Sequence, residues 1–260
     1  MRPKCWVAGW MLMILSLIAC GEGAPAAEAR QVRIEKKTEL LKTDAMGGRQ
    51  AVINTPVFHG IKDPALLKEI QGSIAAVVRD ASGSSPEEWV KEWKEDGGGW
   101  LTEIDYQVTF HRHDLLSLAY VVGGLGAYPT EAEVSIVLDL KTGHRLTAKD
   151  LFKSQEELAA RVERMRAAAV EKAIQEHRAH LKEMEMTEED LMSTMEPAKQ
   201  MRFGAENLDT FLLDDKGVTF VYDFGFPHVS QALEPSGEYF FSYEELRPYI
   251  NPEGPLARVL

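Results

Sequence analysis

Residues 100–140 read WLTEIDYQVTFHRHDLLSLAYVVGGLGAYPTEAEVSIVLDL, and apolar residues dominate three long runs of this stretch. The runs extend over residues 100–111, 115–122 and 131–140, and turn-forming residues separate them. Runs of this length that are rich in β-branched and aromatic residues are typical of β-strands. We therefore predict three consecutive strands that form an antiparallel meander.

The segment before the meander predicts two further strands and two helices. Residues 31–42 alternate apolar with charged residues, and residues 51–58 form a second apolar run. Asp63 and Pro64 are residue types preferred at the N-cap and the first position of a helix, so we expect a helix to begin there. Pro86 is expected to open a second, shorter helix.

The segment after the meander predicts mostly helix, followed by strands. A short helical turn capped by Thr147 comes first, then a long charged helix over about 154–184 and an acidic helix from Thr187. The apolar stripe expected on the long helix consists of Leu158, Val162, Met165 and Ala169. The last predicted elements are strands over 207–213, 218–224 and 239–242 and a short helix over 243–247.

This order of elements favours an α+β fold. Strands, then a long helix, then strands again suit helices packed on one face of an antiparallel sheet. We expect two interlocked lobes, an N-terminal α/β lobe over residues 31–99 and a C-terminal α+β domain over residues 100–260.

The first residues have the order of a bacterial export signal. Arg2 and Lys4 are positively charged, and the apolar run that follows is shorter than the roughly 20 residues of a membrane-spanning helix. The sequence Leu17-Ile18-Ala19-Cys20 resembles a lipobox, in which cleavage precedes the cysteine. We predict a lipoprotein signal peptide over residues 1–19 and a lipid on Cys20.

Residues 20–30 are expected to be the lipidated cysteine and a flexible tether, since glycine, alanine, proline and glutamate dominate them. Two or more acyl chains anchor a protein stably. The expected location is therefore the bacterial cell envelope, on the periplasmic face of a membrane or the cell surface. The alternatives are an ordinary signal peptide with a chance cysteine, or an uncleaved anchor.

Composition limits the classes of partner. The chain has two cysteines, Cys5 and Cys20, so a mature domain would have no disulfide and would depend on its core. Its formal charge is −12, and loss of Arg2 and Lys4 makes the charge more negative. Nucleic acid is an unsuitable partner because its phosphates need clustered lysine and arginine. The acidity would attract a cationic partner, although it can also serve solubility alone.

Several short motifs resemble the extracytoplasmic domain family shared by the anti-sigma factor RsiV and the peptidoglycan deacetylase PdaC. The stretch from Val52 to Val78 resembles the N-terminal lobe of that family. The other matching segments are Gly126-Ala127-Tyr128-Pro129, Asp139 to Gly143, Leu146 to Phe152, Phe211 to Val218 and Tyr243-Glu244-Glu245-Leu246. Tyr128 stands where the family has histidine, so a role that needs imidazole does not carry over. RsiV is a lysozyme receptor, so the resemblance implies a binding module that faces lysozyme or peptidoglycan.

Two glycine-rich loops are the candidate partner-binding surface. The first, residues 123–129, presents Tyr128 and Pro129 at a sheet end, and the second contains Phe226, Pro227 and His228. Exposed aromatic residues often anchor a protein partner. We expect the two loops to form one binding surface, although turns that merely require glycine explain the same residues. Nucleotide binding is not expected because the first loop lacks the strand–loop–helix context and the lysine of a phosphate loop.

The sequence supports metal and sugar binding less well than it supports binding by the two loops. His111 and His113 would lie on one strand face but lack a third ligand, and His177 and His180 read as helix surface. Trp89, Trp93 and Trp100 could line a sugar groove, although tryptophans one helical turn apart are more often core. No metal or cofactor is expected.

The sequence contains no recognisable catalytic motif. Because it has 41 acidic residues, chance pairs are inevitable and neither Glu103 nor Asp105 can be assigned as a catalytic acid. We therefore expect a non-catalytic, membrane-anchored lipoprotein that binds an envelope partner. The alternatives are an enzyme that modifies wall polysaccharide and a structural lipoprotein of envelope assembly.

Overall fold

The computed structural model of the protein describes residues 32–42, 50–96, 101–126 and 128–260. The predicted leader, Cys20 and the tether lie outside the described residues, as do Trp100 and Ala127. Residues 32–260 form one compact unit.

Strands of this part of the chain form two sheets. Their bounds are β1 (Arg33–Lys42), β2 (Gln50–His59), β3 (Leu101–Arg112), β4 (Leu115–Leu125), β5 (Pro129–Asp139), β6 (Phe211–Leu213), β7 (Gly217–Val221) and β8 (Glu238–Ser242). The first sheet has the order β1-β2-β3-β4-β5, and the second has the order β6-β7-β8. The three-stranded meander predicted from residues 100–140 is thus the larger part of the first sheet.

The described helices agree with the predicted order. They are α1 (Pro64–Ser82), α2 (Pro86–Asp96), α3 (Ala148–Leu151), α4 (Gln155–Ala179), α5 (Glu188–Gln200) and α6 (Tyr243–Leu246). The side chain of Asp63 accepts a hydrogen bond from Ala65 N at 2.8 Å, so Asp63 is the N-cap of α1, as expected. The α+β class is therefore confirmed.

The structure differs from the predicted elements in several respects. The neighbours β2 and β3 are parallel, with Val52 opposite Glu103, so the first sheet is mixed rather than purely antiparallel. This sheet also combines strands from both sides of residues 97–100. Helix α4 ends at Ala179 and not near residue 184. The strand predicted from residue 207 begins only at residue 211, because residues 205–209 form a 3₁₀ turn.

One face of the first sheet is covered by α1 and α2. Ile70, Ile74 and Val78 of α1 pack against alternate residues of the strands, among them Leu118 and Ile136. Since side chains alternate between the faces of a strand, these residues define the inner face of the sheet. Burial of this face against α1 and α2 forms the first hydrophobic core.

The second sheet packs against the opposite face. Ser117 of β4 is fully buried there, and its Oγ accepts hydrogen bonds from the backbone N–H of Leu213 at 3.0 Å and from Thr109 Oγ1 at 2.8 Å. Phe211, Phe220 and other aromatic residues surround this contact in a second core. The two sheets are therefore joined by both apolar packing and a buried hydrogen bond.

Helices α4 and α5 form a third cluster that contains a buried arginine. Arg166 is 1% exposed, and its guanidinium donates to both carboxylate oxygens of Glu163, at 2.6 and 2.9 Å, and to the Ala198 carbonyl at 2.8 Å. Met165, predicted to be buried, is instead 37% exposed. That prediction was wrong because the buried stripe passes through Arg166 rather than Met165.

No helix among the described residues has both the length and the apolar character that crossing a membrane requires.

Candidate partner-binding site

The hairpin between β4 and β5 carries the first predicted loop. Leu125 is opposite Pro129 at the end of the ladder, and Gly126 N–H donates to the Tyr128 carbonyl at 3.2 Å. This narrow tip leaves the side chain of Tyr128 65% exposed. The strand ladder therefore holds an aromatic ring outward at the end of the first sheet.

The second predicted loop connects β7 and β8, and a backbone hydrogen bond joins its two ends. Tyr222 N–H donates to the Gly237 carbonyl at 2.8 Å. A Cβ on Gly237 would lie 1.9 Å from the Tyr222 carbonyl oxygen, so residue 237 must be glycine for the two chain segments to approach this closely. The loop therefore leaves the second sheet with a fixed direction.

The carboxylate of Glu234 accepts hydrogen bonds from backbone N–H groups of the second loop. It accepts one from Phe224 N–H at 3.2 Å and also interacts with the N–H groups of Phe226 and Gly225. Burial, followed by the charge of Asp223, raises the pKa of Glu234, and the N–H groups only partly oppose that shift. Sequence reasoning missed this residue, because nothing near Glu234 in the chain marks it as a loop anchor.

The two loops meet through their aromatic rings. The rings of Tyr128 and His228 are stacked, with centroids 5.4 Å apart and an interplanar angle of 22°. His228 and Pro227 are exposed, and the neighbouring Val229 is 95% exposed. We call the surface formed by Tyr128, Pro129, Pro227, His228 and Val229 the rim.

Phe226, the fifth residue predicted to bind a partner, is less exposed than the residues of the rim. Its ring is half-buried and packs edge-on against Phe224, with centroids 6.4 Å apart. Phe224 is buried in the third cluster with Leu233. Phe226 therefore supports the loop, while Val229, which the sequence did not single out, provides exposed apolar surface.

The structure separates the two histidines considered for metal binding. His111 is on β3, whereas His113 is in the turn to β4 with a φ of 55°, so the two do not share a strand face. The prediction of a shared face was wrong because the hairpin turn begins at His113. Among the described residues, no group of three or more histidine, cysteine or acidic side chains is placed to hold a metal ion.

The candidates considered for sugar binding and for acid catalysis make contacts within the fold. Trp89 and Trp93 are buried in the first core, so neither lines a sugar groove, and Trp100 lies outside the described residues. Asp105 accepts hydrogen bonds from Lys36 Nζ at 2.5 Å and Asn54 Nδ2 at 3.0 Å. Burial would raise the pKa of Asp105, but these donors and its neighbouring backbone N–H outweigh burial and lower the pKa.

Comparison with known proteins identifies the fold. No protein-family model matches the chain, and no curated protein matches its sequence. A crystal structure of a DUF3298 family member from Bacteroides fragilis is similar, with a TM-score of 0.54 and 16% identity, covering 88% of this chain and 96% of that one. A DUF3298 family protein from Pseudomonas aeruginosa PAO1 has a TM-score of 0.50 and 16% identity, covering 85% of this chain and 94% of that one.

These similarities are structural and extend over nearly the whole of both known proteins. At 16% identity they establish the fold alone. The chain therefore has the fold of DUF3298 proteins, a family of unknown function.

Proposed function

We propose that the protein is a non-catalytic binding module of the bacterial cell envelope and that its rim binds a wall-associated protein, with lysozyme as the first candidate. The observation that carries this proposal is the stack between Tyr128 and His228. It joins two loops that are far apart in the sequence into one exposed surface. Aromatic side chains held rigidly at a surface lose little entropy on binding and are frequent anchors of protein interfaces.

Charge supports a cationic partner. The formal charge of −12 attracts a basic protein such as lysozyme and accelerates the encounter. The motif resemblance to the RsiV and PdaC domains points to the same class of partner. A structural role in assembly is less well supported, because the aromatic ring of Tyr128 is exposed and not covered by the chain.

A pull-down tests the proposed partner. Residues 32–260, which form one compact unit, are immobilised and exposed to lysozyme or to purified peptidoglycan at low and moderate salt. We expect lysozyme to be retained at both salt concentrations. Less lysozyme should be retained at the higher concentration, because salt screens the attraction between the surface charges of the two proteins. If the folded protein retains neither lysozyme nor peptidoglycan at either salt concentration, the proposal is wrong. Retention of peptidoglycan alone would replace lysozyme as the partner.

The proposal also includes a lipid anchor on Cys20. A lipidated protein would sediment with membranes, and mass spectrometry of its N-terminal peptide would show a diacylglyceryl cysteine. The variant Cys20→Ser is expected to leave the membrane fraction. Membrane association that persists unchanged in this variant would contradict lipidation at Cys20.

A further inference from the structure

One end of the first sheet is open to solvent on the face opposite α1 and α2. Ile104 and Val122 are buried in the first core, so the residues next to them in the strands, Glu103 and Gly123, lie on the other face. Farther along the same strands, the second sheet covers that face around Ser117. At the end near the rim, by contrast, the side chain of Glu103 is exposed.

This open end carries three glutamates on neighbouring strands. Gly123 of β4 is paired with Glu103 of β3 and with Glu131 of β5. In the next row of the same face, Val121 of β4 is paired with Glu133 of β5. All three glutamates are exposed, whereas Val121 is half-buried. We call the surface formed by these five residues the acidic face.

Gly123 allows the carboxylate of Glu103 to approach Glu131. A Cβ on Gly123 would lie 2.9 Å from Glu103 Cγ and 3.2 Å from Glu103 Oε1, so the side chain of Glu103 lies in the space that the glycine leaves. Because that space is over β4, the carboxylate is displaced from its own strand towards β5. Like charges on neighbouring strands repel each other, so this arrangement favours the binding of a cation.

The described part of the chain does not supply that cation. Asp105, which lies on the same face, is paired with Lys36, whereas the glutamates of the acidic face have neither an ion pair nor a side-chain hydrogen bond among the described residues. No group of acidic, histidine or cysteine side chains in this part of the chain is placed to hold a metal ion. Arginine and lysine side chains of another protein suit exposed carboxylates of this kind, because they form charge-assisted hydrogen bonds with them.

The acidic face is continuous with the rim. Pro129 of the rim and Glu131 are two residues apart on β5, so they lie on the same face of the strand, about 7 Å apart. We propose that the acidic face is the electrostatic part of the partner-binding site and binds arginine or lysine side chains of the protein that the rim contacts. This proposal rests on the function assigned to the rim and adds the residues that recognise the charge of the partner.

Hexa-arginine, a purely basic peptide, tests the acidic face separately from the rim. Its dissociation constant for residues 32–260 is measured by calorimetry at low salt. We expect Glu103→Gln combined with Glu131→Gln to weaken binding about fivefold, the effect of losing two exposed ion pairs. The matched control, Glu156→Gln combined with Glu157→Gln at the exposed start of α4, removes the same charge and should weaken binding by less than about twofold.

Gly123→Ala tests the geometry of the acidic face without a change of charge. The added methyl group displaces the side chain of Glu103, so we expect hexa-arginine to bind about threefold more weakly. Circular dichroism establishes that each variant is folded. Equal losses in the acidic-face variant and its control, or unchanged binding in Gly123→Ala, would overturn the proposal.

Lysozyme distinguishes a failure of this proposal from a failure of the function assigned to the rim. If hexa-arginine binds at the acidic face but the wild-type protein does not bind lysozyme, the acidic face stands and lysozyme is not the partner. If lysozyme binds the wild-type protein and the acidic-face variant equally well, this proposal is wrong and the function of the rim stands.

Discussion

At the turn between β3 and β4, two residues adopt a conformation that L-amino acids disfavour. His113 and Asp114 have φ values of 55° and 60°, and Arg112 is paired with Leu115 across the turn. A two-residue hairpin turn with positive φ at both positions prefers Asn-Gly. The sequence indicated a break here but not its type, because histidine is uncommon in such a turn.

We expect the double substitution His113→Asn and Asp114→Gly to stabilise the protein by about 1 kcal/mol, because it relieves the left-handed conformation at both residues. Urea unfolding measures the change. Unchanged or reduced stability would contradict a turn of this type.

Arg166, the buried arginine of α4, is expected to contribute to the stability of the protein. We expect Arg166→Met to destabilise the protein by about 3 kcal/mol, because it removes the buried guanidinium that donates to the Glu163 carboxylate and to the Ala198 carbonyl, and leaves Glu163 with only the Phe203 N–H as a close donor. The matched control is the exposed Arg164, where Arg164→Met should change stability by less than about 0.5 kcal/mol. Equal effects of the two substitutions in urea unfolding would show that Arg166 contributes only as a surface residue does.

At the scale of elements, the C-terminal turn is tied to the end of β5. Arg258 donates to both oxygens of the buried Asp139 carboxylate, at 3.1 and 2.7 Å, and Lys141 N–H donates to the same group at 2.9 Å. Burial alone would raise the pKa of Asp139, but these donors outweigh it and hold the pKa below its ordinary value. This ion pair connects chain segments that apolar periodicity alone could not have brought together.

The lowered pKa gives the ion pair a defined pH dependence. Its stabilisation is complete above the unfolded pKa of aspartate, about 3.9, and is lost as pH falls through the folded pKa. We expect Arg258→Gln to destabilise the protein by about 2 kcal/mol at pH 7 and by progressively less below about pH 4. Urea unfolding from pH 7 to pH 2 provides the measurement, and a difference that stays constant over this range would contradict the assignment.

The sequence predicted most elements but fewer of the contacts between them. Long apolar runs rich in β-branched and aromatic residues located β3, β4 and β5, and Asp63 marked the start of α1, because both signals are local. The parallel pairing of β2 with β3 and the anchoring of the second loop by Glu234 depend on residues that meet only after folding. The rim was anticipated as two loops, whereas the stack that joins them required the tertiary structure.

At the scale of the whole molecule, Ser117 links the two sheets. We expect Ser117→Ala to destabilise the protein by about 2 kcal/mol, because the buried N–H of Leu213 loses its acceptor. Ser135→Ala on the neighbouring strand is the control and should have little effect, since Ser135 is only half-buried. Thermal unfolding followed by circular dichroism compares the two variants, and equal losses would show that the Ser117 contact does not couple the sheets.

The central claim is that the rim binds a cationic envelope partner, and its most direct test is the affinity of residues 32–260 for lysozyme, measured by calorimetry at moderate salt. We expect Tyr128→Ala combined with His228→Ala to weaken binding at least about 30-fold, the loss typical of interface anchors. Phe240→Ala, which removes an exposed aromatic ring from β8, should leave the affinity within about twofold. Unchanged affinity in the double variant, or no binding by the folded wild-type protein, would contradict the account.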